Sequence, residues 1–469
     1  MKKPAKNDLI HMMGVCGTAM GSLAGLLKEM GYRVRGSDQN VYPPMSTKLK
    51  ELGIDIISGY RPENLTPKPD LVIVGNVMSR THTEVQELLK TDIPYMSLPQ
   101  AMGEYLIGDR HSVVITGTHG KTTTTAMAAW VLEKANLHPG FMVGGIPLNF
   151  PNSFSIGTGN YFVIEGDEYD TAFFDKVPKF IHYKPRSVVL TSIEFDHADI
   201  YKDLNAVKEA FKMLLKLIPA DGQLVYNGDD ENIREILNTT KCKNIHSYGT
   251  KNADWKIDGI KWSPEKSEFD IIHKGKKVTR VESGLFGEYN LLNALSVYII
   301  GKNIGIAEDK ILAGFKTFKG VKRRQEIIGK PHGVTVIDDF AHHPTAVEVT
   351  IDGVKKRFPK STVFAVFEPR SATARRKVFQ DDFAKALTHG DVIILSAPYD
   401  MSKIAEAERF DAEAVINKCK EYAPKKECLL GSSVDEIIAL IKARWKKDDV
   451  VLFMSNGGFG GIYEKILKD

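Results

Sequence analysis

A loop rich in glycine and threonine follows a short apolar run that ends at Ile115. The loop residues are, in order, Gly117, Thr118, His119, Gly120, Lys121, Thr122 and Thr123. Glycines let backbone N–H groups surround a polyphosphate, and the helix that follows directs its positive end toward the same charge. Lys121 would neutralise phosphate charge, and the Thr122 hydroxyl would reach Mg²⁺. The pattern indicates a nucleoside triphosphate site. Because Ile115 stands where the general P-loop pattern has glycine, the loop is a shorter variant, and a plain glycine turn before a helix is the alternative.

Two acidic clusters follow apolar runs further along the chain. Residues 161–164 lead into Glu165 and Glu168, and residues 187–193 lead into Glu194, Asp196 and His197. Carboxylate oxygens with one imidazole suit Mg²⁺ or Mn²⁺ placed between a nucleotide and a second substrate. Solvated turns at strand ends are the alternative. Because both clusters come after the phosphate loop, we favour metal or phosphate chemistry.

The amino-terminal segment contains a second glycine pattern. Gly14, Gly17 and Met20 precede a helical pattern, and a strand-like piece at residues 32–36 leads to Ser37 and Asp38. The spacing differs from the dinucleotide fingerprint, although an acidic residue about 20 positions on is where a sugar hydroxyl would be bound. We expect a nucleotide-bearing substrate here. A nicotinamide nucleotide and a glycine turn without a ligand are the alternatives.

Strand-like runs alternate with helical patterns along the whole chain. They lie at residues 55–58, 71–74, 161–164, 187–193, 334–337, 362–367, 392–395 and 450–454. Alternation of this kind predicts parallel sheets with ligands at the carboxyl ends of strands, and hence an α/β fold. At about 150 residues per domain, the length of 469 residues suggests three domains, which we place at 1–108, 109–320 and 321–469.

The last of these segments carries weaker signals. A strand is predicted to end at Asp338 and Asp339, followed by the adjacent histidines His342 and His343. Their spacing does not suit a zinc pair on one helix face, so we interpret them as turn residues of which one contacts a nucleotide. A glycine-rich loop begins at Ser455 and follows another apolar run.

Composition excludes several other classes of protein. The net charge of +4 does not argue for a nucleic acid partner. The four cysteines are scattered, which indicates neither a zinc site nor a disulfide framework. Apolar runs fall short of the about 18 residues that span a bilayer, and the amino terminus lacks the apolar stretch of a signal peptide. We expect a cytoplasmic protein with no membrane partner.

These motifs together resemble the Mur ligase superfamily, whose members are ATP-dependent, amide-forming enzymes of bacterial cell-wall synthesis and recycling. TGTHGKTTTT at 116–125 resembles the superfamily's ATP loop, and HMMGVCGTAMGSLAGLL from His11 resembles the UDP-sugar-binding start of the muramate–alanine ligase branch. RGSDQN at 35–40 is similar to the second turn of that branch. FGEYNLLNALSV from Phe286, VKRRQEII from Val321 and DDFAHHPTAV from Asp338 resemble nucleotide-contacting elements, with Tyr289 where the branch usually has His.

Within that branch, several stretches are more similar to the recycling members that attach L-alanyl-γ-D-glutamyl-meso-diaminopimelate than to those that attach L-alanine. They are GGIPLNF at 144–150, EGDEYDTAFFDKVPKFIHYKPR at 165–186, EFDHADIY at 194–201, FEPRSAT at 367–373 and MSNGGFGGI at 454–462. The resemblance implies joining of the peptide amine to UDP-N-acetylmuramate through an acyl phosphate. Joining of single L-alanine, in de novo peptidoglycan synthesis, is the nearest alternative.

The resemblance also implies three domains, of which the first and third are Rossmann-like and the central one carries the P-loop. It assigns catalysis to Lys121, Glu165 and His197, and Mg²⁺ or Mn²⁺ binding to Thr122, Glu165 and His197. Beyond the P-loop, the implied ATP contacts are Asn290, Asn293, Arg324, Asp339 and His342. The implied UDP-sugar contacts are His11, Gly14, Gly17, Thr18, Met20, Ser37 and Asp38. The implied peptide contacts are Glu168, Arg370, Ser455 and Asn456.

Some points stay open in the sequence. Other branches carry a carbamylated lysine near the position of Lys212, and the branch resembled here does without one. The chain is expected to be a monomer or a homodimer. A nucleotide-sensing regulator without ligase activity, and an oxidoreductase that uses the amino-terminal segment, are the rivals from other classes.

Overall fold

A computed structural model describes residues 5–42, 45–198, 200–402 and 404–468. The chain divides into two compact units. The first unit comprises residues 1–194, 205–254 and 296–314, and the second comprises residues 195–204, 255–295 and 315–469.

The first unit begins with a parallel sheet of five strands. The strands are β1 Leu9–Met13, β2 Arg33–Asp38, β3 Asp55–Ser58, β4 Leu71–Val74 and β5 Tyr95–Ser97. The helices are α1 Thr18–Glu29, α2 Met45–Glu51, α3 Thr83–Leu88 and α4 Leu98–Ala101. The strand order β3-β2-β1-β4-β5 is that of the Rossmann fold, which confirms the predicted architecture of this segment.

The first unit continues with a larger sheet and a small hairpin. The strands of the sheet are β6 His111–Thr116, β7 Gly140–Met142, β8 Phe154–Ser155 and β9 Tyr161–Gly166, and the hairpin is β10 Asp170–Ala172 with β11 Asp175–Pro178. The sheet also contains β12 Ser187–Leu190, β13 Gln223–Asn227 and β14 Asn244–Gly249, and the helices are α5 Lys121–Lys134, α6 Leu204–Leu217 and α7 Glu231–Ile236. Its order is β14-β13-β12-β6-β9-β7-β8, and only the pair β7 and β8 is antiparallel among these described strands.

Strand β12 is shorter than the predicted run at 187–193. Beyond Leu190, the backbone is engaged by neighbouring loops, since Thr118 N donates to Ser192 O (2.9 Å) and Ile193 N donates to the Asp230 carboxylate (2.8 Å). The predicted run at 187–193 therefore consists of a strand, 187–190, and the start of a loop that contacts its neighbours. Hydrophobicity alone does not distinguish the strand from the loop.

The hairpin joins the two sheets of the first unit. Phe173 and Phe174 pack against the apolar core around β4, and the Phe174 ring lies 5.0 Å from that of Tyr95. The Arg80 guanidinium lies 5.5 Å from the Phe173 ring centroid. Aromatic packing of this kind fixes the hairpin on the first sheet.

The second unit contains an antiparallel meander and a mixed sheet. The meander consists of β15 Trp255–Trp262, β16 Ser267–His273 and β17 Lys276–Ser283. Helices α8 Glu288–Asn303 and α9 Glu308–Thr317 each contain residues of both units. The sheet strands are β18 Glu326–Gly329, β19 Thr335–Asp339, β20 Val363–Phe367, β21 Val392–Ser396, β22 Glu427–Gly431 and β23 Val450–Met454. The remaining helices are α10 Pro344–Arg357, α11 Gln380–Leu387, α12 Ala412–Tyr422, α13 Val434–Lys442 and α14 Ile462–Leu467.

The mixed sheet has the order β18-β19-β23-β20-β21-β22, and β18 is its antiparallel edge. Strands β20, β21 and β23 are buried along their whole length, as expected for a sheet covered on both faces. Within the described ranges, no helix combines the length and the hydrophobicity needed to cross a bilayer.

Gly103 tests the packing inside the first unit. It lies in a short wide-turn helix, Met102–Ile107, where an added Cβ would come 2.0 Å from the backbone oxygen of His182. We expect Gly103→Ala to lower the free energy of unfolding by about 1–3 kcal/mol, because a backbone atom must move. Gly284→Ala is the control, since its nearest neighbour would be 3.6 Å away. Equal denaturation midpoints in urea for the two variants would contradict this packing.

Candidate active site

The predicted phosphate loop lies between β6 and α5. Strand β6 ends at Thr116, and α5 begins at Lys121. Gly117 and Gly120 have φ angles of +121° and +81°, which favour glycine, and a Cβ on Gly117 would lie 2.2 Å from the Thr191 hydroxyl. The tight turn therefore requires the glycines that the sequence places there.

The loop is held by the residues that follow β12. The Thr191 hydroxyl donates to His119 O (2.5 Å), and Glu194 N donates to the Thr118 hydroxyl (2.9 Å). His119 Nε2 lies 3.3 Å from a Glu194 carboxylate oxygen. Glu194, which the sequence placed in an acidic cluster, thus contacts the phosphate loop directly.

Lys121 is charged and points toward the neighbouring acidic cluster. Its Nζ donates to Glu168 (3.0 Å) and to Gly117 O (2.6 Å). Burial lowers the pKa of Lys121, but Glu168, Asp167 and Glu165 outweigh that effect and raise the pKa above its ordinary value. Glu168 is 1% exposed, so the ion pair is largely shielded from water.

The neighbouring threonine contacts the other predicted acid. The Thr122 hydroxyl donates to Glu165 (3.1 Å), whose second carboxylate oxygen accepts from Gly144 N (2.5 Å). A carboxylate and a hydroxyl within hydrogen-bond distance form the hard oxygen donor set that Mg²⁺ and Mn²⁺ prefer. These two residues therefore fit a divalent cation.

The glycine-rich turn of the first sheet surrounds Asp38. Cys16 N and Asn40 N each donate to the Asp38 carboxylate (2.9 Å), and Gly14 has a φ of +80°. Gly17 is the N-cap of α1, whose first residue is Thr18. Two of the side chains assigned to the sugar site, Met20 and Ser37, are buried next to this turn.

His11 lies beneath that turn inside strand β1. It is fully buried, its Nε2 is 2.5 Å from Glu84, and the Ser37 hydroxyl donates to the same carboxylate oxygen (2.9 Å). Direct contact between a ligand and the His11 ring would require this buried group to open. Sequence reasoning missed Glu84, which gives no motif signal on its short helix.

The predicted nucleotide contacts of α8 lie in the second unit. Asn290 and Asn293 are each 5% exposed, and the Asn290 side-chain amide donates to Phe286 O (2.8 Å). The Tyr289 hydroxyl, which stands where histidine is usual in the branch, accepts from Gln325 (2.8 Å).

Asp339 lies at the end of β19 in the same unit. Its carboxylate accepts from Gln325 N and Ala341 N (2.8 Å each), and burial raises the pKa of Asp339 to about 6. Beyond it, the Arg324 guanidinium lies 4.8 Å from the Phe340 ring centroid, and His342 Nδ1 lies 2.9 Å from Phe340 O.

Asp196 is a buried carboxylate in the second unit, next to His197. Burial raises its pKa, but His197, His342 and His343 outweigh this and lower it to about 2. The Thr373 hydroxyl donates to Asp196 (2.9 Å), and His197 N donates to the same oxygen (2.7 Å). Of the three predicted metal ligands, Thr122 and Glu165 contact each other within the first unit, and His197 belongs to the second unit.

Arg370 lies at the strand ends of the mixed sheet. Its guanidinium is 3.7 Å from the Tyr399 ring centroid, and Nη1 is 3.5 Å from Glu368. The Ser455 hydroxyl donates to Glu368 (2.5 Å). Within the described ranges, Asn456 Oδ1 is buried without a hydrogen-bond partner. Arg370, Ser455 and Asn456 are thus grouped, whereas Glu168, also assigned to the peptide, lies beside Lys121.

Sequence reasoning missed three contributors to this edge. Arg323 donates to Ser455 O (2.7 Å) and Gly457 O (2.6 Å), and so fixes the glycine-rich loop. Glu368 and Tyr399 fix the Arg370 side chain. The two adjacent arginines at 323–324 indicated a charged contact, but the partners of Arg323 are 132 and 134 residues away in the sequence.

Lys212, which lies near the position of the carbamylated lysine of other branches, pairs with Glu209 (2.7 Å) on α6.

Three family models match the chain. They are described as Mur ligase family, catalytic domain, over residues 9–110, Mur ligase middle domain over residues 115–301, and Mur ligase, glutamate ligase domain over residues 323–457. Together they cover most of the sequence.

Similar proteins match over nearly the full length. The UDP-N-acetylmuramate–L-alanyl-γ-D-glutamyl-meso-2,6-diaminoheptandioate ligase of Escherichia coli (strain K12) is 39% identical over 98% of this chain and 97% of its own. The UDP-N-acetylmuramate–L-alanine ligase of Clostridium botulinum (strain Okra / Type B1) is 32% identical over 98% and 96%. The crystal structure of a murein peptide ligase from Psychrobacter arcticus 273-4 has a TM-score of 0.71 at 37% identity, covering 98% of each chain.

Asp339 gives a prediction on pH dependence. Its pKa rises from 3.8 to about 6 on folding, so it favours the folded state below pH 3.8, and this contribution is lost as the pH rises through about 6. We expect the stability of Asp339→Asn relative to the unsubstituted protein to rise by about 2 kcal/mol between pH 4 and pH 7, because at pH 4 part of the carboxyl is already ionised in the unfolded chain.

Urea denaturation at several pH values measures this difference. Asp435→Asn, which removes a carboxylate that is 79% exposed in the same unit, is the control for loss of one charge. A stability difference for Asp339→Asn that stays constant from pH 4 to pH 7 would contradict the raised pKa.

Proposed function

The chain belongs to the Mur ligase family, and we propose that it joins the lactyl carboxylate of UDP-N-acetylmuramate to the amine of L-alanyl-γ-D-glutamyl-meso-diaminopimelate at the expense of ATP. Two observations favour the tripeptide over single L-alanine. The relative that is named for the tripeptide is 39% identical, against 32% for the alanine ligase, and the structural neighbour at 37% identity is a murein peptide ligase. We place the reaction in peptidoglycan recycling, in the cytoplasm.

The reaction needs ATP because a carboxylate oxygen is a poor leaving group. Attack of the lactyl carboxylate on the γ-phosphorus releases ADP and forms an acyl phosphate. The peptide amine then attacks the acyl carbon, and the tetrahedral intermediate releases phosphate as the amide forms. A ligase of this type therefore has to hold a triphosphate tail close to a carboxylate.

The observation that carries the proposal is the pair of contacts at the phosphate loop. Lys121 Nζ lies 3.0 Å from Glu168, and the Thr122 hydroxyl lies 3.1 Å from Glu165. A lysine that remains protonated can stabilise charge on the transferring phosphoryl group. Since Glu168 holds Lys121 at this position, we assign it an orienting role toward that lysine as well as the predicted one toward substrate.

Thr122 and Glu165 fit the divalent cation that we propose for this site, with His197 as the ligand of a second ion. When bound, Mg²⁺ or Mn²⁺ supplies neutralisation of the phosphate charge. Glu165 is anchored by Gly144 N, so its other oxygen is held next to Thr122 before any ion binds. The backbone and side chains of 117–123 bind the phosphates.

Recognition of the substrates is assigned to the other grouped residues. The turn around Asp38 would bind the UDP-sugar, and Asn290, Asn293, Arg324, Asp339 and His342 would bind the nucleotide. Arg370, Ser455 and Asn456 would bind a peptide carboxylate, because a guanidinium that is held against an aromatic ring loses little freedom when it binds a planar anion. A free α-amine has a pKa of about 8, so the peptide amine needs little or no assistance from a base such as His197.

Product formation with two amines tests the proposal. With UDP-N-acetylmuramate and ATP, we expect kcat/KM for the tripeptide to exceed that for L-alanine by at least about tenfold, the effect of one charge-assisted hydrogen bond. Lys121→Ala should lower kcat/KM by at least about 100-fold. Phosphate release and mass spectrometry of the amide measure both quantities.

Lys134→Ala is the control, because Lys134 lies in the last turn of the same helix and packs on Trp130, 4.6 Å from its ring centroid. Unchanged turnover in Lys121→Ala would disprove the role of the phosphate loop. Preference for L-alanine would favour the single-alanine ligase, and no amide with either amine would favour a nucleotide-sensing regulator.

A further inference from the structure

Thr373 is a buried residue of the second unit that is not among the residues proposed to contact ATP, the UDP-sugar or the peptide. It lies in the turn that follows β20 and is 4% exposed. Its hydroxyl donates to an Asp196 carboxylate oxygen over 2.9 Å, although the two residues are 177 positions apart. A carboxylate oxygen buried away from water is costly unless a donor of this kind satisfies it.

The Asp196 oxygen that accepts from Thr373 also fixes the next residue. His197 N donates to it over 2.7 Å, and His197 has a φ of +56°, an uncommon conformation for a residue with a side chain. Ile200 N and Tyr201 N both donate to His197 O, at 2.9 and 3.0 Å. The backbone N–H and the backbone carbonyl of His197 are therefore both hydrogen-bonded, the N–H to Asp196 and the carbonyl to Ile200 and Tyr201.

The turn that contains Thr373 is itself ordered. The Ser371 hydroxyl accepts from Ala374 N (3.0 Å), and Arg376 N donates to Thr373 O (3.0 Å). Arg370, assigned above to the peptide carboxylate, immediately precedes this turn. A short path of hydrogen bonds and covalent bonds thus leads from Arg370 through Thr373 and Asp196 to His197.

A second contact holds the same segment in the second unit. His343 Nε2 lies 3.3 Å from Phe195 O, and the Phe379 ring lies 6.2 Å from that of Phe195 and 5.0 Å from that of His343. These contacts hold Phe195 without the Thr373 hydroxyl, so we expect loss of that hydroxyl to change the orientation of Asp196 and His197 more than it changes folding.

We propose that Thr373 is a positioning residue that, through Asp196, sets the position of His197 relative to the peptide-binding turn. This inference rests on the proposed function of His197 as a metal ligand and of Arg370 as a peptide ligand. Loss of the hydroxyl would leave one lone pair of a buried carboxylate without its donor and would free the Asp196 side chain to rotate. The His197 N–H would then lose its fixed acceptor.

The test is Thr373→Val, which replaces the hydroxyl by a methyl group of similar size. Residues that orient metal ligands typically change metal affinity or activity by about 10–100-fold when they are substituted. We expect Mn²⁺ to bind about tenfold more weakly to Thr373→Val in the presence of ADP, as measured by electron paramagnetic resonance. In turnover assays, kcat should fall and the KM for the peptide should rise, whereas the KM for UDP-N-acetylmuramate should not change.

Two variants separate positioning from general damage to the turn. Thr373→Ser keeps the hydroxyl and should restore Mn²⁺ affinity and kcat. Ser371→Ala removes the neighbouring hydroxyl without touching Asp196, so it should leave Mn²⁺ affinity unchanged. If Thr373→Val does not fold, Thr373→Ala removes the same donor with less steric demand and carries the same expectation.

Equal Mn²⁺ affinity and equal peptide KM in the unsubstituted protein and Thr373→Val would overturn the proposal. So would a defect that Thr373→Ser fails to restore. Mn²⁺ binding does not depend on turnover, so failure of this inference is distinguishable from failure of the proposed ligase reaction, which would appear as absence of amide product in the unsubstituted protein.

Discussion

Strands β6 and β9 pair in parallel, with Ile115 opposite Glu165 and Thr116 opposite Gly166. This register brings the end of β6, which leads into the phosphate loop, to the same sheet edge as the acidic cluster that follows β9. The contacts of Lys121 with Glu168 and of Thr122 with Glu165 depend on it. A shift of the register by one residue would direct the Glu165 side chain to the other face of the sheet and remove the oxygen donor set. The proposed chemistry rests on this strand pairing.

Charge balance explains why these buried groups are tolerated. Carboxylates and a lysine taken out of water are costly unless they are paired and hydrogen-bonded. Lys121 is matched by Glu168, and Asp196 is surrounded by histidines that keep it ionised despite burial. Asp339 has weaker compensation, since its pKa rises to about 6 even though Arg324 opposes the effect of burial. The proposed nucleotide and peptide residues therefore lie among partners that fix their orientation before substrates arrive.

The sequence predicted the parts of the fold whose signal is local. The predicted strands at 71–74 and 450–454 coincide with β4 and β23, because buried parallel strands are short apolar runs with clear ends. The predicted strand at 55–58 coincides with the more exposed strand β3. The sequence analysis missed the meander β15–β17. Its apolar residues are interrupted by charged residues, which pair across the strands, as Arg280 does with Asp270 (2.7 Å). Among the site residues, Lys121 and Thr122 follow from a motif. Glu84, Glu368 and Thr373 act through partners that are distant in sequence, and no local pattern marks them.

The central claim is that the phosphate loop brings the γ-phosphate of ATP to the lactyl carboxylate. Transfer of an isotope tests it most directly. UDP-N-acetylmuramate labelled with oxygen-18 in both carboxylate oxygens would be converted with ATP and the tripeptide, and the released phosphate analysed by mass spectrometry. Activation through an acyl phosphate predicts one labelled oxygen in each phosphate, with the other retained in the amide. Release of unlabelled phosphate together with amide product would contradict the account.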